Sequence, residues 1–202
     1  MVDDKTKQTK TQQTRTRLLS AAAEVFAKKG YERASVDDVA LAAGLTKGAV
    51  YWNFASKEEL FLALVRERQS LIMGEFFTAA ASAEPDGYVA SLADVYKHQA
   101  PDPNEWKLWM EFLLHALRRP GLTRRVRNQG ATSFRALVDE LDRRSASLPG
   151  TPPLSTAVLA RLYTAIFDGV NQQRAIDPSS VDDDLFPALL RFVNDAYVAL
   201  TR

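Results

Sequence analysis

A chain of 202 residues is long enough to bury a core and to hold one or two domains. Its 46% apolar and 25% charged content is ordinary for a globular protein, and the absence of cysteine excludes disulfides, thiol catalysis and cysteine-ligated metals. The net charge of +1 is unevenly spread: residues 1–57 hold ten Lys or Arg against six Asp or Glu, which puts +4 there and −3 on the remainder. A basic end of this kind suits an anionic partner, or serves as a solubilising tail.

Residues 1–12, rich in Lys, Thr and Gln, read as a disordered basic arm. Asp3, Asp4 and the lysines leave no apolar run for a signal peptide, and the longest uncharged stretch, 145–160, is broken by Pro149, Pro152 and Pro153. A cytoplasmic protein without a membrane partner is expected. Leu18, Ala22, Val25 and Phe26 recur at helical spacing up to Lys28-Lys29-Gly30. Ser35 can cap a short helix that buries Val36, Val39, Ala40 and Ala43 and ends at Gly44. Thr46 can cap the next, which runs to about Asn53. Ser56 with Glu59 reads as a capping box opening a long helix from Lys57 to about Ala81. Further helices are predicted at about 88–99, 104–118, 122–146, 154–176 and 182–201, and no sustained period-2 pattern is present. The predicted fold is all-α, with about nine helices. Residues 13–60 form a three-helix unit containing a helix-turn-helix, and residues 61–202 a larger helical domain.

Two short helices joined by a glycine-containing turn can place the second in the major groove of DNA. In "TKGAVYWNF", Leu45, Ala49, Val50 and Phe54 form the inward set, leaving Lys47, Gly48, Tyr51 and Trp52 outside. Gly48 lets the backbone approach a base, and Lys47 can reach guanine or a phosphate. Tyr51 and Trp52 can donate to phosphates, Thr46 and Ser35 offer hydroxyls at helix N-termini, and Lys57 can clamp a further phosphate.

The run from Arg17 to Leu64 resembles the DNA-binding domain of the TetR family of transcriptional regulators. The resemblance rests on F-x-x-x-G-Y at Phe26–Tyr31, S-V-D-D-V-A-x-x-A-G at Ser35–Gly44 and K-G-A-V-Y-x-x-F-x-S-K-E-E-L at Lys47–Leu60. The chain departs from it at Asn53, where many members carry His or Tyr at a backbone-contacting position. The candidate DNA-binding residues are Arg15, Arg17, Ser35, Thr46, Lys47, Gly48, Ala49, Tyr51, Trp52, Asn53 and Lys57, with Lys5, Lys7 and Lys10 in the arm. The resemblance implies a homodimer on a palindromic operator, usually a repressor released by a small-molecule effector. An activator, or a regulator without an effector, stays open.

Family members enclose their ligand in the C-terminal domain, which makes Phe77, Tyr96, Trp106, Trp109, Met110, Leu113, Phe134, Leu137 and Phe167 the candidate lining. Such a lining suits an apolar or aromatic effector, including a cationic one. The helix at 104–118 is apolar on most sides and is expected to be central and buried. His98, His115 and Asp182–Asp184 form no defensible metal site, and no cofactor is expected. The last helix carries two apolar stripes, wider than one core requires. With the small residues of the preceding helix it suggests a two-fold interface formed by Leu162, Ala165, Ile166, Gly169, Phe186, Leu190, Val193 and Tyr197.

Overall fold

The computed structural model of the chain describes residues 2–82, 87–179 and 181–201, with side chains from residue 11 onward except those of 77 and 80–82. Among the described residues the elements are nine α-helices. They are α1 (Val2–Lys29), α2 (Val36–Ala42), α3 (Lys47–Asn53), α4 (Lys57–Ser82), α5 (Tyr88–Gln99), α6 (Pro103–Leu117), α7 (Pro120–Ser145), α8 (Thr156–Ile176) and α9 (Leu185–Leu200). The segment 1–12 departs from the expected disordered arm, because α1 begins at Val2. The first twelve residues contain no Gly or Pro to interrupt a helix that propagates from the ordered end. The lysines at 5, 7 and 10 have side chains outside the described residues.

The chain forms two compact units, Met1–Arg68 with Leu108–Val126, and Gln69–Lys107 with Arg127–Arg202. The expected boundary at 60/61 is therefore too simple. Phe112, Ala116 and Leu122 join the core of the first unit, packed with Leu18, Phe26, Tyr31, Val39, Val50 and Phe61. Its centre is aromatic: Phe61 stacks on Phe112 at 4.3 Å between centroids, and Tyr31 meets Phe61 and Phe112 edge-on at 5.2 and 5.0 Å. Offset and edge-on pairs of this kind add to the burial of their area. Only one side of α6 serves this core, since Leu114 and Leu117 are exposed. The expectation that this helix is central and buried holds for one face only, because its second half is covered on a single side.

The second unit is built on Tyr88, Leu92, Tyr96, Leu141, Leu159, Tyr163, Val170, Phe186, Leu190 and Tyr197, with Val193 packed against them. Of the two α9 stripes, the one through Phe186, Leu190, Val193 and Tyr197 faces this core. Phe186, Leu190 and Tyr197 are buried within the subunit, and Val193 is partly buried against the same core. The other stripe leaves Phe192 73% exposed. The acidic run at 182–184 is explained by pairing: Asp184 with Lys97, Asp183 with Arg174 at 2.8 Å, and the Asp182 carboxylate accepts the Asp184 N–H at 2.8 Å. No group of three or more His, Asp or Glu among the described residues could hold a metal ion. Among the same residues, no helix is long and apolar enough to cross a membrane.

Candidate DNA interface

The helix-turn-helix is fixed by local chemistry. Ser35 caps α2: its hydroxyl accepts the Asp38 N–H at 3.1 Å, while the Asp38 carboxylate accepts the Ser35 N–H at 3.0 Å and its hydroxyl at 2.8 Å. This reciprocal arrangement satisfies free donors of the first turn. Lys29 donates to the other Asp38 oxygen at 2.6 Å. The Lys29 bond first, then Ser35, hold the Asp38 carboxyl down at about 2. The turn into α3 depends on Gly44, whose φ of 59° is costly for other residues and whose absent Cβ would lie 2.8 Å from the Arg17 guanidinium. Thr46 then caps α3 by accepting the Ala49 N–H at 3.2 Å. Val50 and Phe54 are buried, while Leu45 packs on the first core at its edge.

This packing leaves one face of α3 uncovered. Trp52 is 86% exposed, Tyr51 is half exposed, and Leu41 on α2 is 82% exposed. Gly48 is exposed, and a Cβ there would meet only the Thr46 hydroxyl at an ordinary 3.7 Å. The fold therefore does not require glycine at 48. Leu41 was missed at the sequence level, although its signal was present: it is the one large apolar residue of α2 off the inward stripe.

Several candidate contacts are already engaged. The Lys57 ammonium donates to the carbonyls of Tyr31, Glu32 and Ala34 at 2.9, 3.3 and 3.1 Å and lies 4.4 Å from the Tyr31 ring centroid. All three of its donors are directed at carbonyls, which makes Lys57 a brace for the α1–α2 turn. Arg15 donates to the Asn53 carbonyl at 3.3 Å and covers the Phe54 ring at 4.4 Å, placing a cation at the C-terminus of α3. The Asn53 amide donates back to the Ala49 carbonyl at 2.8 Å. Lys47 donates to Asp37 at 2.8 Å. The Glu59 N–H donates to the Ser56 hydroxyl at 3.2 Å, but the Glu59 carboxylate pairs with Arg125.

A second brace was invisible in the sequence. Glu111 on α6 accepts the N–H groups of Tyr31 at 3.0 Å and Glu32 at 2.7 Å. Gly30, with φ 76°, makes room for it, since a Cβ there would sit 3.0 Å from the Glu111 carboxylate. One turn further along α6, His115 bonds Glu32 at 2.7 Å. That bond, first among the causes, holds the Glu32 carboxyl below its ordinary range.

In the second unit, four aromatic rings meet. Tyr96 lies 4.2 Å from Phe186 and 6.0 Å from Phe167, and Trp106 lies 5.9 Å from Phe167. The Trp106 indole N–H is buried without a partner. Of the proposed lining, Tyr96, Trp106 and Phe167 share this cluster, and Phe134 and Leu137 pack on the same core. Trp109, Met110 and Leu113 belong to the first unit, where Trp109 lies 5.9 Å from Phe112. The Phe77 side chain lies outside the described residues.

The family model for bacterial regulatory proteins of the tetR family matches residues 18–64. A second, for the C-terminal part of BetI-type transcriptional repressors, matches residues 88–198. The chain belongs to the TetR family. This TetR-family member is a transcriptional regulator, and its α2–α3 pair is the helix-turn-helix of that family. It is 27% identical over 165 residues to the HTH-type transcriptional regulator UidR of Escherichia coli (strain K12), covering 81% of this chain and 82% of that protein. The fold is similar to that of Salmonella enterica GusR, with a TM-score of 0.72 at 22% identity, over 92% of this chain and 95% of that one. It is also similar to a Saccharomonospora viridis protein solved in complex with choline, with a TM-score of 0.69 at 17% identity, over 89% and 94% of the two chains.

Proposed function

We propose that this TetR-family regulator is a homodimeric repressor that reads a palindromic operator with α3 and is released by a small molecule bound in its second unit. The observation that carries the reading is Trp52, a large ring left 86% exposed beside Tyr51, Lys47 and Gly48. A folded chain gains by covering such a ring, and its indole N–H and Tyr51 hydroxyl suit phosphate oxygens. Gly48 has no task inside the fold and leaves space for close approach of the α3 backbone to a base edge. In a two-fold dimer, the centres of the α3 helices would lie about 34–36 Å apart.

The dimer reading is supported by the apolar groups that α8 and α9 leave exposed: Val158, Leu162, Phe192 and Leu200, next to the small residues Ala165 and Gly169. A four-helix contact made from α8 and α9 of each subunit would cover them. Effector control is supported by the Tyr96–Trp106–Phe167–Phe186 cluster with its unpartnered indole N–H. Such a site suits an apolar or aromatic molecule, or an organic cation held over ring faces, the class to which the choline of the Saccharomonospora viridis complex belongs. A regulator without an effector is the second reading; it is favoured by the contact of Tyr96 on Phe186 at 4.2 Å, the spacing of a closed core.

The test is fluorescence anisotropy of the full chain on a duplex selected from a random-sequence pool, with Trp52→Ala alongside. Wild type is expected to prefer the selected duplex over a scrambled one, and Trp52→Ala to weaken that binding roughly tenfold without lowering the melting temperature. No preference by wild type sinks the reading of α3. Adding choline and a panel of aromatic molecules to the complex tests release. Failure of every compound favours the second reading.

A further inference from the structure

Asp37 stands in the first turn of α2 beside the start of α3, the helix proposed to approach DNA, and reading by α3 gives it no task. A carboxylate there opposes binding to a polyanion. It is not idle, however: it accepts a hydrogen bond from the Lys47 ammonium at 2.8 Å, with both side chains more than half exposed. The hydrogen bond to Asp37, followed by its charge, raises the Lys47 pKa, so the ammonium stays protonated.

We propose that Asp37 is a specificity-determining residue of this regulator: by holding Lys47 it withholds that cation from phosphates and reserves it for a guanine edge. The inference rests on α3 being the DNA-reading helix. Contact with a phosphate is driven by net charge and by counterion release, and it carries no sequence information. Guanine O6 and N7 are neutral acceptors that require donors and not net charge. An ammonium has three N–H donors, and the bond to Asp37 uses one of them. The paired Lys47 therefore loses much of its pull on phosphate while keeping two donors for a base. A phosphate drawn to the ammonium would also come up against the Asp37 carboxylate. Discrimination gained from a repulsive element is a general route to specificity.

The competing account is that Asp37 only complements the dipole at the start of α2. That role would affect stability and leave sequence discrimination untouched. The two are separated with wild type, Asp37→Asn, Lys47→Ala and the double variant, each measured on the selected duplex and on a scrambled duplex across a salt series. Asp37→Asn is expected to bind the scrambled duplex about five times more tightly, with a salt slope steeper by roughly 1.8, the signature of one added phosphate contact in each subunit of the dimer. The selected duplex should gain less, so the specificity ratio falls. With Lys47→Ala present, Asp37→Asn should leave the ratio unchanged, because coupling between the two residues is what the cycle isolates. An unchanged ratio in Asp37→Asn overturns the proposal. So does the same change with and without Lys47, which would mark Asp37 as bulk charge. A wild-type chain without sequence preference defeats the reading of α3 and this inference together, whereas a preference that Asp37→Asn retains in full defeats this inference alone.

Discussion

The face of α2 and α3 and the face of α8 and α9 both leave large apolar groups uncovered, and the two differ in chemistry. The first exposes Tyr51 and Trp52, whose rings end in an O–H or N–H, with Lys47 and Asp37 between the helices. The second exposes Val158, Leu162, Phe192 and Leu200, which carry no polar atom on the side chain. Rings with polar tips suit a wet, charged groove, where each donor finds a phosphate or base. Purely apolar side chains gain only where water is excluded, as in the core of a subunit interface. Leu41 is the exception on the reading face, and a thymine methyl is the apolar feature that DNA offers it. Exposed apolar area by itself therefore names no partner; the polar atoms attached to it do.

The strongest way to break this contrast is Phe192→Asp. In the proposed dimer, a charge placed in a dry interface should raise the dimer dissociation constant by at least about 100-fold, and operator binding should fall with it. Circular dichroism should stay unchanged, since Phe192 is 73% exposed within the subunit. Sedimentation would check this, and a dimer of undiminished stability removes α9 from the interface. Glu111→Ala acts on the other region. It strips the acceptor from the N–H groups of Tyr31 and Glu32 and should cost roughly 1–3 kcal/mol of stability in denaturant titrations, with dimerisation intact.

Gly48→Ala sharpens the comparison further, because stability and function should move in opposite directions. The exposed first-turn position should gain at most about 0.5 kcal/mol, less than a helix interior would, while the new methyl weakens operator binding by blocking close approach. Equal or tighter binding would show that α3 does not approach DNA at Gly48. The smallest effect concerns acid. The Asp38 carboxyl is held at about 2, below an unfolded value of about 3.9. A depressed carboxyl contributes stability above its unfolded pKa and loses it as pH falls through the folded one. Wild type should therefore lose stability relative to Asp38→Asn between about pH 4 and 2. A constant difference across that range would show that the Lys29 and Ser35 bonds do not hold in solution.

Much of the reading region was legible because its signals are local. Ser35, Thr46, Gly30 and Gly44 punctuate the helices, and Val36, Val39, Ala40, Ala43, Val50 and Phe54 are all buried where their spacing put them. Charge was harder to read. Lys57 reads as a phosphate ligand in the sequence, and nothing about a lysine at a helix start hints at the three carbonyls of the α1–α2 turn that surround it. The Asp37–Lys47 pair spans ten residues and two helices, beyond the reach of any spacing rule.

The sequence by itself determined most of the helices, the Ser35 and Thr46 caps and the inward face of the helix-turn-helix, because periodicity and capping depend on residues within a turn or two of each other, while the family was legible only as a resemblance in its motifs. Tertiary structure alone decided which residues of the two α9 stripes are inside. Both are apolar, and only packing against Tyr96, Phe167 and the rest of the second core selects Phe186 over Phe192. It likewise decided that Glu111, about eighty residues from the turn it braces, belongs to the reading unit. A hydrogen bond is fixed by distance in space, and distance in space between helices is what a linear pattern does not carry.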